Sequence, residues 1–476
     1  MPVSNNAAKG LITVLVGVVL WCLPWFITLP EAITPQAWHL FSLTVAIIVG
    51  FILSPMPIGA IAFIGISIIA LTNTLTVKDV VAGFGDATMW LIVSAFIFSR
   101  AFLKTGLGQR IAYLFLRALG TSTLKVGYAL VLSDLVLAPL TPSSGARAGA
   151  IMYPIVRGVS TALGSEPDNN PRRAGAYLIQ CVYQCEAILC ATFMTAMAGN
   201  AAIVRIANDA GINITWGGWL LASCVPAALC LLLYPWLVYK LFPPEIKKTP
   251  EAKALAVQKL QEMGPMSKHE IILACTFAVA LFLWCTSDFS FNKFNATAVA
   301  MSAVSFLLLT KVIEWKDMLN ETGAWDTLIW MGALIALAGQ LSKLGFIGWF
   351  AASASGWISA IGVAGFAALV VLIILYMYSH YGFASMTAHI AAMYAAFLGV
   401  AIAAGAPPMV SALALGFVAN LCLPITHYSG TASPIFYGAG FVPLGPWWKM
   451  GFIFSIISLV IWLGVGSAWW KVIGLW

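Results

Sequence analysis

The apolar residues of this chain fall in long unbroken runs. They do not alternate as on a surface strand or form the one-sided stripe of a surface helix. Eleven runs, near 10–29, 37–54, 57–74, 87–104, 175–204, 216–239, 269–286, 295–312, 326–343, 408–437 and 447–469, hold few charges. About 20 apolar residues in a helix cross the hydrocarbon core of a bilayer, so each run is predicted to be a transmembrane helix. The first run follows MPVSNNAAKG, is too long for a signal-peptide core and has no small-residue cleavage site behind it. Two further runs, 126–158 and 365–402, break at their centres. The first break is Pro139-Leu140-Thr141-Pro142-Ser143-Ser144-Gly145, and the second is His380-Tyr381-Gly382-Phe383-Ala384-Ser385-Met386-Thr387. Their halves of roughly 14 to 18 residues are short for a crossing at about 1.5 Å per residue. Two re-entrant helical hairpins are therefore expected, with tips at a depth where irregular backbone must be buried in protein or line a cavity. The predicted fold is an all-α polytopic membrane protein, one integral unit over residues 1–476, with about 11 transmembrane helices plus the two hairpins.

Composition agrees. Of the residues, 61% are apolar and 9% charged, against roughly a quarter charged in globular proteins. That excludes a soluble enzyme, a secreted disulfide scaffold and a disordered chain. The net charge of +7 is read as topology, not as a nucleic-acid surface. With the N-terminus cytoplasmic and both hairpins returning to their own side, eighteen of the 24 Lys and Arg residues lie on the cytoplasmic side. Five lie outside: Lys78, Arg205, Lys293, Lys343 and Lys471. Arg147, just past the first hairpin tip, is the one left over. This distribution fits the positive-inside rule for a bacterial inner (cytoplasmic) membrane. The charged, Pro-bounded stretch 241–268 is a cytoplasmic linker with the character of an amphipathic helix on the membrane surface. The nine cysteines lie in apolar runs without zinc-site spacing, so they are expected to be small buried residues, and no cofactor is expected.

The linker separates two matching halves, 36–240 and 269–476. Gly83-Phe84-Gly85-Asp86-Ala87-Thr88-Met89-Trp90 matches Gly323-Ala324-Trp325-Asp326-Thr327-Leu328-Ile329-Trp330. Both Asp residues are expected to cap helix starts. Both helices end in Lys-x-Gly, at Lys104-Thr105-Gly106 and Lys343-Leu344-Gly345. A broken hairpin follows in each half. A span with a second break comes next, Thr195-Ala196-Met197-Ala198-Gly199-Asn200-Ala201 and Thr426-His427-Tyr428-Ser429-Gly430-Thr431-Ala432. An odd number of crossings between the copies inverts the second one. Paired discontinuous helices in inverted repeats mark a secondary transporter with its site at the repeat interface.

A helix that starts inside the membrane presents free N–H groups and a positive dipole end, which attract carboxylates. Two such tips imply an anion with two separated acidic groups. Ser143, Ser144, Ser385 and Thr387 add hydroxyl donors, beside Met386, Asn200 and Thr431. Gly145, Gly199 and Gly430 admit close approach of ligand to backbone. Arg147 either holds a carboxylate in bidentate fashion or pairs with Asp134 or Glu186, both also in apolar runs, and these roles are not exclusive. Asp134 and Glu186 are alternatively proton carriers. His427 lies in the second break of the C-terminal half. His389 stands four residues after Ser385, as Arg147 does after Ser143, and so is its repeat partner. His380 is a weaker candidate, and His39 and His269 look interfacial. No nucleophile–base pair or metal cluster stands out in the spans, which argues against a membrane-embedded enzyme.

At these residues the chain resembles the divalent anion:sodium symporter family. Its nearest likeness is to the exchanger branch, with bacterial citrate/succinate and tartrate/succinate antiporters and the plastid 2-oxoglutarate/malate translocator. The resemblance runs nearly end to end. It is carried by Gln36-Ala37-Trp38-His39, Leu137-Ala138-Pro139-Leu140-Thr141-Pro142-Ser143, Ala146-Arg147-Ala148-Gly149, Phe383-Ala384-Ser385, Ala388-His389, Thr426-His427-Tyr428 and Ile435-Phe436-Tyr437-Gly438-Ala439-Gly440. It implies a homodimer embedded in lipid, each protomer moving a transport part like an elevator past a scaffold part, with small di- or tricarboxylates as substrates. It also implies a Ser-Asn-Thr motif at each tip. Here the first reads Ser143-Ser144-Gly145 and the second Ser385-Met386-Thr387, so the asparagine that would bridge sodium and carboxylate is missing at both tips. Arg147 and His427 are then the fixed charges standing where a symporter would use sodium, which favours exchange over symport.

Overall fold

The protein was analysed as a computed structural model, which describes residues 5–350, 352–353 and 364–476. Among the described residues the chain is helical, and its β pairing is confined to two isolated bridges, Ser122 with Lys248 and Glu166 with Asn169. Eleven helices are long and apolar enough to cross a membrane. Eight of them coincide with expected spans. The runs at 57–74 and 295–312 instead fold as Ile58–Leu71 and Ala296–Leu309, of 14 residues each. At about 1.5 Å per residue these are some 21 Å long, short of a bilayer core. The run at 175–204 divides into Gly175–Thr192, a 3-10 turn at Met194–Ala196, and Ala198–Asp209. The remaining helices long enough to cross are hairpin arms: Thr123–Leu140, Gly365–Gly382 and Met386–Ala403.

The core centres on Gly175–Thr192, whose 18 residues are all buried. It packs against Thr123–Leu137, Tyr153–Ala162, Trp216–Leu241 and Pro408–Leu421. Both hairpins close at their bases. In the second, the Gly365 amide donates to the Ala404 carbonyl at 2.8 Å. In the first, Thr123 N donates to Lys247 O at 3.1 Å, and Ile246 N donates to Arg173 O, beyond the hairpin's far end, at 3.2 Å. The stretch 243–249 thus ties both ends of the first hairpin together. The linker forms one helix, Pro250–Met263, which packs on Leu107–Leu119 and buries Ala252 and Ala256. Arg110 anchors its end, donating to Gly264 O at 2.8 Å while pairing with Glu270 at 2.5 Å.

Charged contacts collect at the two ends of Ala87–Thr105. At its start, Asp86 pairs with Arg205 at 2.7 Å, and Asp86 Oδ1 accepts from Thr88 N at 2.8 Å as the expected cap. At its end, Lys104 pairs with Asp317 at 2.6 Å. Thr322–Lys343 runs between the same two groups in the opposite sense. Near its start Trp325 Nε1 donates to Met318 O, one residue from Asp317, and near its end Gln340 Nε2 donates to Asp79 Oδ1 at 3.0 Å. The two helices that match in sequence are therefore antiparallel. Gly106 and Gly345, which follow them, both adopt positive φ (76° and 78°), where a side chain would be strained.

The second break of the C-terminal half is held from outside by Leu444–Val460, which crosses the 3-10 turn Leu423–Ile425 at Gly451. A Cβ at Gly451 would collide with the Pro424 carbonyl oxygen and stand 3.0 Å from Ile425 Cα. Backbone cannot yield as a flexible side chain does. Gly451→Ala is expected to cost about 1–3 kcal/mol and to lower the thermal midpoint of the detergent-solubilised protein. An unchanged midpoint at the same scan rate would show that this helix contact is not tight.

Candidate functional site

The two hairpins turn in the same way. Each ascending helix, Thr123–Leu137 or Gly365–Ser379, ends in a 3-10 turn, Ala138–Leu140 or His380–Gly382. A serine with extended backbone then caps the descending helix. Ser143 Oγ accepts from Ala146 N at 3.1 Å, and Ser385 Oγ accepts from Ala388 N at 3.3 Å. One α turn follows, Ser144–Arg147 or Met386–His389. A five-residue π segment, Ala148–Met152 or Ile390–Tyr394, leads into the rest of the helix. Arg147 and His389 occupy the same place, each with its amide bonded to the capping serine's carbonyl at 3.0 Å. The amides ahead of these, Ser144, Gly145, Met386 and Thr387, have no partner among the described residues. They are the orphan donors of a helix start.

Both tips open on one cavity of about 270 Å³, lined by Pro142, Ser143, Ser144, Ser385, Met386, Thr387, Gly430 and Thr431, with Asp326 and Trp330 on a facing helix. Ser144 Oγ and Thr431 Oγ1 are 3.3 Å apart. Gly145 belongs to this contact, because a Cβ there would stand 2.7 Å from Thr431 Oγ1. Its missing side chain admits the threonine of the other half. No Lys, Arg or His lines the cavity among the described residues. Its one ionisable group is Asp326, which the sequence placed as a cap of its own helix. That helix begins earlier, at Thr322. Asp326 instead packs its carboxylate against Gly59, at the start of Ile58–Leu71, where a Cβ would collide with Asp326 Oδ1. A neighbouring helix sets its position, so no local pattern announced it.

Arg147, Gly199, Asn200 and His427 do not line the cavity. Arg147 is wholly buried behind the first tip. Its Nη2 donates to Glu186 Oε1 at 2.6 Å, and its Nη1 to the carbonyls of Thr141 at 2.9 Å and Ala196 at 3.2 Å. Its Nε stands 2.7 Å from Asp134 Oδ1, a close ion contact without the alignment of a hydrogen bond. Of the two roles its position in the sequence admits, the structure displays the ion pair. Asn200 spans the two halves. It donates to Cys190 O at 2.9 Å and accepts from Asn420 Nδ2 at 2.8 Å. Gly199 makes room for Ile390 and Met197. His427 is half-buried among Tyr428, Tyr437 and Trp448, and its Nδ1 accepts from Trp448 Nε1 at 3.1 Å.

The two second breaks differ despite their matching sequences. In the first, helix resumes at Ala198, whose amide donates to Pro142 O at 2.7 Å. In the second, helix resumes only at Ser433, beside Pro434, which leaves 426–432 irregular. Tyr183 braces that stretch, its O–H lying 2.8 Å from Leu423 O, 3.0 Å from Thr426 O and 2.7 Å from Ser433 Oγ.

Comparisons with known proteins agree with this architecture. Residues 5–476 match the family described as the sodium:sulfate symporter transmembrane region. The chain is 48% identical over 478 residues to the putative malate transporter YflS of Bacillus subtilis, covering 99% of this chain and 98% of that protein. It is 45% identical to the chloroplastic dicarboxylate transporter 1 of Spinacia oleracea, covering 100% of this chain and 83% of that one. It is 38% identical to the inner membrane protein YbhI of Escherichia coli, over 98% of this chain and 99% of that one. In fold it is similar to the Neisseria gonorrhoeae transporter MtrF, with a TM-score of 0.60 at 13% identity over 97% of this chain and 94% of that one. It is also similar to the Alcanivorax borkumensis YdaH transporter, with a TM-score of 0.55 at 11% identity over 98% of each chain. The chain belongs to the sodium:sulfate symporter family, the divalent anion:sodium symporters that its tip sequences resemble, and is an integral membrane transporter, not an enzyme.

Proposed function

We propose that this protein exchanges di- or tricarboxylates of the malate, succinate, citrate, tartrate or 2-oxoglutarate class across a bacterial inner membrane by alternating access. The single observation that carries the reading is the meeting of two serine-capped helix starts at one cavity. Three residues with unpartnered amides, Ser144, Met386 and Thr387, line it together with the hydroxyls of Ser144, Thr387 and Thr431, and the fourth such amide, of Gly145, stands beside them. Two helix ends with like dipoles point into one space, and a molecule with a carboxylate at each end satisfies both. The names of the relatives, malate and dicarboxylate transporters, agree with that substrate class.

The same geometry favours exchange. When Asp326 is protonated, the empty cavity leaves two positive helix ends in one space without counter-charge. The return step is then favourable only with an anion aboard. Neither tip has the asparagine that the family uses beside sodium. The antiparallel run of Ala87–Thr105 and Thr322–Lys343, and the matching tips, support two inverted repeats, 36–240 and 269–476, joined by a cytoplasmic linker at 241–268. The repeats would form a carrier that moves as an elevator within a homodimer. One observation favours a second reading, proton-coupled symport. Asp326 is the cavity's own titratable group.

Arg147 acts here through the hairpin. With Asp134 it joins both arms of the first tip to Glu186 on the central helix.

Three outcomes test these readings. In proteoliposomes, labelled malate is expected to enter vesicles preloaded with malate and not empty ones, without regard to a sodium gradient. Equal uptake into empty vesicles would refute exchange, and uptake driven by a proton gradient and lost in Asp326→Asn would establish the second reading. Ser144→Ala and Thr387→Ala remove donors that serve no cap. Each is expected to raise KM for malate by roughly tenfold or more, since a hydrogen bond to a charged group contributes about 1.5–3 kcal/mol, with little change in thermal midpoint. Arg147→Ala leaves two carboxylates buried without their cation and is expected to destabilise the protein by about 3–5 kcal/mol. The triple variant Asp134→Asn, Arg147→Met, Glu186→Gln is expected to recover much of that stability with KM unchanged. A large rise in KM at normal stability would make Arg147 a substrate ligand.

A further inference from the structure

Behind the second tip lies a side-chain cluster that the transport site does not use. His380 stands in the 3-10 turn of that tip, His389 ends the first turn of the descending helix, and Cys422 follows the helix Pro408–Leu421. All three are fully buried. One donor atom from each, a ring nitrogen or the sulfur, lies within 4.8 Å of the others.

Hydrogen bonding fixes both imidazoles in the same tautomer. His380 Nε2 is 3.0 Å from the Ser429 carbonyl oxygen, so it carries the proton and donates. His389 Nε2 is 2.9 Å from Ser379 Oγ. The Ser379 hydroxyl spends its own proton on the Tyr376 carbonyl at 2.8 Å, so His389 Nε2 donates as well. Each ring keeps a bare lone pair on Nδ1, and neither Nδ1 has a partner among the described residues. The Tyr376 hydroxyl, on a ring whose centroid is 4.2 Å from that of His389, is also buried and unpartnered. A buried acceptor left without a donor costs about 1–3 kcal/mol. Two such lone pairs, in a cluster with a thiol whose own proton goes to the Ala419 carbonyl at 3.1 Å, lack an electron-pair acceptor.

We infer that His380, His389 and Cys422 bind a borderline divalent metal ion, with Zn2+ the best match. Two imidazoles and a thiolate are ligands that zinc accepts, at about 2.0–2.1 Å to nitrogen and about 2.3 Å to sulfur, so inward shifts give the ion three protein ligands and leave its fourth tetrahedral position to a water. The backs of both rings already donate to a carbonyl or hydroxyl oxygen, the outer arrangement that orients metal-bound histidines. Binding releases the Cys422 thiol proton to bulk solvent, and zinc with one thiolate leaves a net charge of about +1 behind the tip. The placement parallels the first half. There Asp134 and Arg147 fasten a hairpin to the broken helix through Glu186. Here His380 and His389 fasten the other hairpin to the other broken helix through Cys422. The ion is thus a cross-link of the second half, standing where the first half uses an ion pair.

The full-length protein, purified without chelator from cells grown with added zinc, is expected to carry about one zinc per chain by elemental mass spectrometry. Cys422→Ser and His380→Gln are expected to carry far less. Protein from cells grown with cobalt in place of zinc is expected to show a thiolate-to-cobalt absorption band and tetrahedral d–d bands, both lost in Cys422→Ser. Zinc at the same level in wild type and variants would place the metal elsewhere and overturn the inference. So would a wild-type cobalt spectrum without a sulfur band, as a cluster holding only water or a shared proton would give. The wild-type spectrum decides the matter alone if a variant does not fold.

Discussion

A helix that begins inside an apolar protein leaves amides for which the chain has no carbonyls, and the rest of this structure depends on how they are met. At each break some are satisfied internally. Ser143 and Ser385 cap their own helices, Pro142 receives the Ala198 amide, and Ser433 receives the Gly430 amide at 3.2 Å. The amides of Ser144, Gly145, Met386 and Thr387 are not satisfied. In an apolar setting such donors are costly unless a ligand or water meets them. In the proposed function, that cost makes the two tips the substrate site and not merely a pair of turns. On that proposal it also explains how an anion can be held where, among the described residues, no cationic side chain lines the cavity. The charge proposed to receive it is backbone dipole, fixed in direction by the hairpins.

The hairpins in turn must be held still. The first is fastened by the buried cluster of Arg147, Asp134 and Glu186, the second by contacts of His380 and Tyr428 across the tip. His380 Nε2 donates to Ser429 O at 3.0 Å, and Tyr428 O–H donates to Tyr381 O at 3.0 Å. A buried ion cluster contributes little net stability over an apolar replacement, but it is costly to break in part. Its value here is geometric. Arg147 reaches the Thr141 and Ala196 carbonyls as well as both carboxylates, and so fixes the first tip against the first broken helix.

Much of this was legible in the sequence, because breaks inside apolar runs are conspicuous. Proline, serine and glycine at 139–145, and glycine, serine and threonine at 380–387, located both tips, and equal spacing paired Arg147 with His389. The partners of Arg147 could be narrowed to Asp134 or Glu186, since a cation at that depth requires one. Its choice of both over the cavity depends on how Gly175–Thr192 packs. Asp326 was out of reach for the same reason. Its role depends on Ile58–Leu71 starting beside it, a contact between residues far apart in the chain. Gly145, read in the sequence as admitting ligand to the backbone, makes room for Thr431. The His380, His389 and Cys422 cluster has no local zinc spacing. A helix break separates the histidines, and the cysteine arrives from another helix.

The central claim is that the two tips divide the charge of one substrate between them. A structure of the protein with malate bound tests it most directly. The account predicts one carboxylate within hydrogen-bonding distance of the Ser144 and Gly145 amides and the other at the Met386 and Thr387 amides, with Arg147 still paired to Asp134 and Glu186. Malate bound with both carboxylates at one tip, or with a carboxylate on Arg147, would contradict it.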